Sequence, residues 1–464
     1  MAAFERDAGS FRDRAGEIYL SGGRIFRSIN QTAAPEYEIL RERGFYKSAA
    51  SAGFFVGAEE VELSLFDGRP ASARYLVEHP RLDFISYPYE WSFAQLKAAA
   101  LLHLDLQLFA LDADVVLSDA SAYNVQFVGS RPVFIDLLSF RRYRDGEYWS
   151  AHRQFCEQFL NPLLLRSVLG IPHNAWFRGS VEGVPTAELS RLIPLRKGFS
   201  GAVFWNVVLP SRLQRAATRW DSLAAAGATR KLPRAAYRRM LTTLRNYIDG
   251  LIPAEEKAGG WQDYADNNTY SPDEAEIKRQ LVIRFVRQNK PQCLWDMGCN
   301  TGAYAAAAID AGARRVVGFD SDPRSLDKAF QRALDHSLPF VPLYLDAANP
   351  SPGQGWNEAE RKSLKDRGGC NAILALAFVH HLAIGRNVPI DWVVQWITGL
   401  SGSGLIEFVP KHDPTIRKML AFREDIFSDY TESAFADALG KRARICHVET
   451  ISGTGRKVYW YEKG

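Results

Sequence analysis

Three aspartates in the C-terminal part of the chain are spaced so that they would meet at one edge of a sheet. Asp296, Asp320 and Asp346 lie in or at the end of the apolar segments CLWDMG, RVVGFD and VPLYLD. They are 24 and 26 residues apart (296 to 320 and 320 to 346), which is the length of one strand and one helix. A carboxylate at the end of the second strand of such a unit can accept hydrogen bonds from both ribose hydroxyls.

The turn after the first of these strands has the sequence D-M-G-C-N-T-G. Gly298 and Gly302 let the chain bend sharply and let a ligand approach the backbone. The pattern differs from the dinucleotide fingerprint, since Asn300 stands at the middle glycine position and an acidic residue leads the turn. Asp296 would repel a pyrophosphate and attract a cation, so the turn favours a positively charged sulfonium with an amino-acid tail.

A parallel sheet with helices on both faces is predicted to position these residues. Helical segments such as AYAAAAIDAG and PRSLDKAFQRAL alternate with five apolar segments: CLWDMG, RVVGFD, VPLYLD, NAILALA and GLIEFV. The last segment, HVETISGTGRKVYWYEK, reads as an antiparallel hairpin. Ligands of such sheets bind beyond the carboxyl ends of the strands.

The sequences DMGCNTG and VVGFDSDP resemble motif I and the second acidic motif of class I S-adenosylmethionine-dependent methyltransferases, and the resemblance covers about 270 to 464. It implies an α/β fold with a doubly wound, Rossmann-like, seven-stranded sheet that ends in an antiparallel hairpin. It places Asp346 against the adenine and implies that five further residues bind the cofactor: Asp296, Gly298, Asn300, Gly302 and Asp320. An NAD-binding Rossmann domain, or a fold that has lost its ligand, is the alternative.

Two neighbouring segments extend this resemblance. NAILALAFVHHL is similar to the family's fourth motif, with Asn371 where Asp is commoner. WQDYADNNTYSPDEAEIKRQ is similar to the family's lead-in, where Tyr264 and Tyr270 either close over the cofactor or pack on the sheet.

Methyl transfer needs mainly alignment of the reacting atoms, and a base helps when the acceptor is a hydroxyl. His380 and His381 follow the fourth strand on the side of the acceptor, so either is a candidate base that would titrate near neutrality. The alternative is that both only begin a helix. After the fifth strand, Glu407, Lys411 and His412 could shape the acceptor pocket.

A second constellation lies in LSDASAYNVQFVGSRPVFIDLLSF. It resembles the catalytic loop and the metal-binding aspartate of protein-kinase-like and aminoglycoside-phosphotransferase-like enzymes. The resemblance implies that Asp119 orients an acceptor hydroxyl while Asn124 and Asp136 hold Mg²⁺ on ATP. The long apolar helix expected over 94–111 and the extended YLVEHPRLDFISYPYEW fit the same order of elements.

This region departs from the kinase pattern. The G-x-G-x-x-G loop and the V-A-I-K lysine are absent from the sequence, and Leu137-Leu138-Ser139 replaces the glycine after the metal-binding aspartate. Arg27 or Lys47 would have to replace the lysine, with Glu36 or Glu38 as its helical partner. The sequence therefore favours a kinase-like α+β scaffold and leaves ATP turnover open, and turn capping by the same Asp and Asn side chains is the alternative.

Three parts of the chain are predicted: a kinase-like α+β region at 1–140, a mostly helical segment at 141–260, and a methyltransferase domain at 261–464. The whole chain, including FISYPYEWSFAQLKAAALLHLDL, resembles bacterial NoeA-like nodulation and methyltransferase proteins. That resemblance implies at most a link to cell-surface or signalling glycans.

Composition limits the function classes. The 464 residues carry 57 basic and 53 acidic side chains, and a net charge of +4 does not demand a polyanionic partner. Nine basic residues against one acid between Arg212 and Arg245 could still grip a phosphate backbone, although a solvated helix face is the simpler reading. Five scattered cysteines, no apolar leader and no long apolar stretch predict a cytoplasmic protein without a zinc site.

The sequence therefore predicts an S-adenosylmethionine-dependent methyltransferase that O-methylates a small molecule or glycan, with a kinase-like module that recognises the acceptor. Three alternatives stay open: a bifunctional kinase and methyltransferase using Mg-ATP, an RNA or protein methyltransferase, and a cofactor-binding protein without turnover.

Overall fold

A computed structural model describes residues 3–66, 68–194, 201–209, 231–257 and 271–464 of the chain. Tyr264, Tyr270 and the part of the basic stretch from 212 to 230 lie outside the described residues.

The C-terminal sheet has seven strands in the order β12-β11-β10-β13-β14-β16-β15. Their bounds are β10 Leu294–Met297, β11 Val316–Asp320, β12 Phe340–Tyr344, β13 Ala372–Ala375, β14 Ser403–Phe408, β15 Arg444–Thr450 and β16 Lys457–Glu462. The five strands from β10 to β14 are mutually parallel, and β16 is antiparallel to β14 and β15. The predicted doubly wound sheet of seven strands with a terminal hairpin is therefore present.

Helices cover both faces of this sheet, which is why its central strands are apolar throughout. Their bounds are Pro272–Asn289, Ala303–Asp310, Pro323–Asp335, Val379–Ala383, Ile390–Leu400, Pro414–Leu420 and Glu432–Gly440. The first begins with a capping box, in which Ser271 accepts the N–H of Glu274 and Glu274 accepts the N–H of Ser271. At the start of Pro323–Asp335 the side chain of Asp322 accepts two backbone N–H groups.

The N-terminal region contains an antiparallel sheet of five strands in the order β1-β2-β3-β5-β4. The bounds are β1 Glu5–Arg6, β2 Ile18–Ser21, β3 Arg24–Asn30, β4 Glu59–Val61 and β5 Ala73–His79. Gly22 and Gly23 join β2 to β3 in a tight turn with φ angles of 56° and 79°. Helices Ala34–Glu42, Phe45–Ser51 and Phe93–Asp112 accompany the sheet.

Two short strand pairs follow the long helix and carry the second constellation. β6 Val115–Leu117 pairs with β9 Phe140–Arg142, and β7 Val125–Val128 pairs with β8 Arg131–Phe134.

The middle segment is helical where it is described. Its longer helices are Asn161–Leu169, Thr186–Leu192 and Arg234–Asp249. Within the last of these, Arg234, Arg238 and Arg245 pair with Asp114, Asp112 and Asp105, which lie in and just after the C-terminal half of the helix Phe93–Asp112. Intramolecular ion pairs therefore engage these three basic residues of the described part of the stretch.

The two regions share one apolar core. A continuous cluster of buried residues includes Trp91 and Leu117 from the N-terminal part and Trp295 and Ile373 from the C-terminal sheet. None of the helices in the described ranges is long and apolar enough to cross a membrane.

Candidate functional site

The turn between β10 and the helix Ala303–Asp310 is held in left-handed backbone conformations. Gly298, Asn300 and Gly302 have φ angles of 78°, 49° and 76°. The N–H groups of Gly298 and Cys299 donate to the carbonyl of Phe319 at 2.7 and 3.0 Å, which ties the turn to β11. A Cβ atom on Gly302 would lie 2.5 Å from the Phe340 ring, so only glycine fits there.

Asp320 ends β11 beside this turn and is fixed by backbone donors. Its Oδ2 accepts the N–H of Asn300 at 2.8 Å, and its Oδ1 accepts the N–H of Asp322 at 2.9 Å. Burial raises the pKa of this carboxyl above its ordinary value, against the effect of these hydrogen bonds. Each oxygen keeps lone pairs for further donors, as two neighbouring hydroxyl groups of a sugar would provide.

Asp296 lies buried at the same edge of the sheet. It is 2% exposed, and its Oδ2 has no hydrogen-bond partner among the described residues. Burial, with a smaller contribution from Asp320, raises its pKa to about 7. A buried carboxylate oxygen without a donor needs a ligand that brings one or brings positive charge.

Asp346 lies two residues beyond the end of β12, at the outer part of the edge. Its Oδ1 accepts the N–H of Ala348 at 3.1 Å, and Arg386 donates to its Oδ2 at 3.2 Å. Because β10, β11 and β12 are parallel neighbours, the three aspartates lie at one edge of the sheet, as their spacing predicted.

Asn371 does not belong to this edge. It precedes β13, and its Oδ1 accepts the N–H of Cys293 at 2.9 Å, so it joins the amino ends of β10 and β13. The strand β13 begins at the next residue, Ala372, and the resemblance of this segment to the family's fourth motif stays a prediction.

The two histidines differ in environment. His381 is exposed at the start of the helix Val379–Ala383, whereas His380 is 1% exposed and its Nδ1 lacks a partner among the described residues. The ring centroids are 4.3 Å apart. Burial lowers the pKa of His380 well below its usual range and also lowers the pKa of His381, so the prediction that these residues titrate near neutrality is wrong. A role of His381 as the base stays a prediction.

The three residues predicted to shape the acceptor pocket, Glu407, Lys411 and His412, also differ in environment. Glu407 is fully buried and ion-paired with Lys278 at 2.7 Å, so its side chain does not line an open pocket. Lys411 pairs with Asp425 at 2.8 Å, and His412 is exposed.

Sequence reasoning missed Lys278, and with it Arg456, which binds Asp413 and approaches Glu407. A signal was present, because Lys278 lies three and four residues before the buried Leu281 and Val282 and so on the apolar face of its helix.

The side chains of the second constellation, Asp119, Asn124 and Asp136, lie close together. Asn124 Nδ2 lies 3.3 Å from Asp119 Oδ2 and 3.5 Å from Asp136 Oδ2, and Arg27 Nη1 lies 2.5 Å from Asp136 Oδ1. Burial and the neighbouring Asp136 raise the pKa of Asp119.

The donors around Asp136 leave little room for a metal ion. Besides Arg27 and Asn124, the N–H of Leu138 donates to Oδ1 and the hydroxyl of Ser139 donates to Oδ2. Among the described residues, no three or more His, Cys, Asp or Glu side chains are grouped so that they could hold a metal ion. This arrangement does not fit the Mg²⁺ that the kinase resemblance implied.

The predicted partners of Arg27 were wrong. Arg27 binds Asp136 and Asp13, while Glu36 pairs with Arg142 and Glu38 accepts from the hydroxyl of Tyr75. Lys47 instead lines a cavity of about 540 Å³ at the end of the N-terminal sheet.

Sequence comparison finds a relative that matches almost the whole chain. Nodulation protein NoeA of Rhizobium meliloti (strain 1021) is 48% identical over 459 residues, which cover 99% of this chain and 96% of that protein. No family model matches the chain.

Solved structures with partial similarity include two methyltransferases. Magnesium protoporphyrin IX methyltransferase from Synechocystis PCC 6803 with bound S-adenosylhomocysteine is 16% identical, and the match covers 48% of this chain and 99% of that chain with a TM-score of 0.32. N-methyltransferase NodS from Bradyrhizobium japonicum WM9, also with S-adenosylhomocysteine, is 11% identical, and the match covers 45% and 95% with a TM-score of 0.32.

Proposed function

The chain belongs to the family of nodulation protein NoeA, and we propose that it is an S-adenosylmethionine-dependent methyltransferase whose cofactor binds at the carboxyl edge of β10, β11 and β12. One observation carries the proposal: the Gly298–Gly302 turn and the three aspartates lie at this edge of a doubly wound sheet of seven strands that ends in an antiparallel hairpin, as the resemblance implied. Ligands of open α/β sheets bind at this position.

The residues present fit this cofactor. Asp320 would accept the ribose hydroxyls, and Asp346 would lie beside the adenine. The unpartnered oxygen of Asp296 suits the ammonium and sulfonium charges of the methionine part. When bound, the cofactor supplies an activated methyl group, so the protein has mainly to align an acceptor and exclude water.

We favour an oxygen atom of a small molecule or glycan as the acceptor. The exposed His381 beside the end of β13 could remove a hydroxyl proton. Ion pairs already engage Arg234, Arg238 and Arg245, which weakens the case for RNA as the substrate.

For the N-terminal region we propose acceptor recognition rather than phosphoryl transfer. The saturation of Asp136 by four protein donors argues against Mg-ATP chemistry. The kinase-like relationship itself stays a proposal that rests on the convergence of Asp119, Asn124 and Asp136.

Calorimetric titration with S-adenosylhomocysteine tests the cofactor site. Asp320→Asn removes the charge that would accept two hydroxyl donors, so we expect the affinity to fall by roughly 30- to 150-fold, or about 2–3 kcal/mol. Asp335→Asn is the matched control, because Asp335 is exposed at the far end of the helix that follows Asp320.

Absence of binding by the wild-type chain, or equal affinities for the two variants, would contradict the proposal. A parallel titration with Mg-ATP addresses the bifunctional alternative, for which we expect no heat of binding.

A further inference from the structure

A chain of four buried charged side chains lies behind the carboxyl ends of β13 and β14. Lys278 and Glu407 are both 0% exposed in their side chains and are 2.7 Å apart. Arg456 Nη1 lies 3.5 Å from Glu407 Oε1, and the same guanidinium donates to both oxygens of Asp413 at 2.6 and 2.8 Å. Two cations and two anions thus form one neutral cluster.

Such a cluster is poorly explained by stability. Removing ions from water costs several kcal/mol for each ion, and well-packed apolar residues often replace a buried ion pair without loss of stability. A buried pair therefore calls for a role in fixing geometry.

The geometry that Glu407 fixes is a strained turn. Its Oε2 accepts the N–H of Ala377 at 2.8 Å. Ala377 has a φ angle of 50°, a left-handed conformation that is uncommon for a residue with a side chain. This residue joins β13 to the helix that carries His380 and His381.

The next residue connects this turn to the cofactor side. Phe378 packs so closely over Gly298 that a Cβ atom there would lie 3.3 Å from its ring. The buried cluster, the Ala377 turn and the Gly298 turn therefore form one continuous set of contacts.

We propose that Glu407 is a positioning residue that holds the Ala377–His380 turn against the Gly298 turn, so that binding of the cofactor orders the acceptor side of the site. The inference rests on the proposed function, because it assumes that the cofactor binds at Gly298. The coupling is reciprocal, so the cofactor should strengthen binding of the acceptor by the same factor as the acceptor strengthens binding of the cofactor.

Hydrogen exchange of the peptides that cover 374–383, with and without S-adenosylhomocysteine, tests this coupling. Two double variants remove both charges of the Lys278–Glu407 pair, so that neither partner stays buried and charged without the other. They are Lys278→Met with Glu407→Gln, and Lys278→Met with Glu407→Leu. They differ in one respect, since only Gln keeps an oxygen that can accept the Ala377 N–H.

In the wild type and in the Gln variant we expect S-adenosylhomocysteine to slow exchange in these peptides by about tenfold. In the Leu variant we expect the slowing to be lost, while calorimetry gives an affinity within about threefold of the wild type. Rescue by Gln separates positioning from a general loss of packing.

Equal slowing in both variants would overturn the inference and leave the proposed function intact. Failure of the wild type to bind S-adenosylhomocysteine would instead remove the proposed function and the inference with it. If the Leu variant does not fold, Phe378→Ala breaks the same coupling at its other end, and slowing that persists in that variant also overturns the inference.

Discussion

At the scale of single residues, the site is defined by carboxylates whose environments differ. Asp296 is buried and has no donor to its Oδ2 among the described residues. Two backbone N–H groups fix Asp320, and Asp346 accepts a hydrogen bond from Arg386. The sequence predicted all three from their intervals, because chain length between parallel strands fixes which strand ends are neighbours. It did not predict their burial, which depends on packing by parts of the chain that are distant in sequence.

Burial of Asp296 has a consequence for stability. Its pKa of about 7 in the folded chain is above the value of about 3.9 expected in the unfolded chain. Between these values the folded state binds more protons than the unfolded state, so the unfolding free energy of the wild type falls as the pH rises from about 4 to 7. The gain in unfolding free energy from Asp296→Asn should therefore be about 2–3 kcal/mol larger at pH 8 than at pH 5.

Urea denaturation at the two pH values measures this gain. Asp310→Asn is the control, because Asp310 is exposed at the end of the next helix and its substitution should have an effect that does not change with pH. A gain for Asp296→Asn that is equal at both pH values would contradict the assignment of a raised pKa.

At the scale of elements, the strands and helices of the C-terminal half follow their predicted bounds within a few residues. The predicted segments 315–320 and 341–346 became Val316–Asp320 and Phe340–Tyr344, because alternating apolar strands and amphipathic helices bury both faces of a sheet. Asn371 is a boundary residue of its apolar segment, and it lies before β13, which spans Ala372–Ala375, whereas Asp320 lies at the end of its strand.

The glycine turn is the element whose shape the site requires. Gly302→Ala places a Cβ atom 2.5 Å from the Phe340 ring and keeps a φ angle of 76°, so we expect a loss of about 2–4 kcal/mol in unfolding free energy. Gly399→Ala is the control, since Gly399 lies exposed in the helix Ile390–Leu400 with no atom within 4 Å of its Cβ position.

Chemical denaturation of the two variants compares these positions. Ala at 399 should be neutral or stabilise by up to about 1 kcal/mol, as for any exposed helical glycine. Similar effects at both sites would mean that the turn tolerates side chains and does not have the conformation described.

At the scale of the whole molecule, the two regions are joined by buried polar contacts as well as by the shared core. Arg367 from the segment between β12 and β13 donates to Glu90 at 2.7 Å, with both side chains 2% exposed. Arg12 and Arg361 make further contacts across the joint, to Glu360 and to the ring of Tyr123. The segment after Asp346 therefore connects the carboxyl edge of β10, β11 and β12 to the second constellation, an arrangement that no local pattern in the sequence indicated.

Arg367→Met tests this joint. It would leave the Glu90 carboxylate buried without its cation, so we expect the unfolding free energy to fall by about 3–5 kcal/mol. Arg444→Met provides the comparison, because the Arg444–Glu462 pair is at the surface and should contribute less than about 1 kcal/mol. Equal losses of unfolding free energy in the two variants, or an Arg367→Met variant as stable as the wild type, would show that the two regions are not coupled through this pair.

The most direct measurement of the central claim is a crystal structure of the protein grown with S-adenosylhomocysteine. The account predicts density for the ligand beyond β10 and β11, with the ribose hydroxyls on Asp320, the amino-acid part near Asp296 and the adenine towards Asp346. A ligand bound elsewhere, or an Asp320 carboxylate that contacts no sugar, would contradict it.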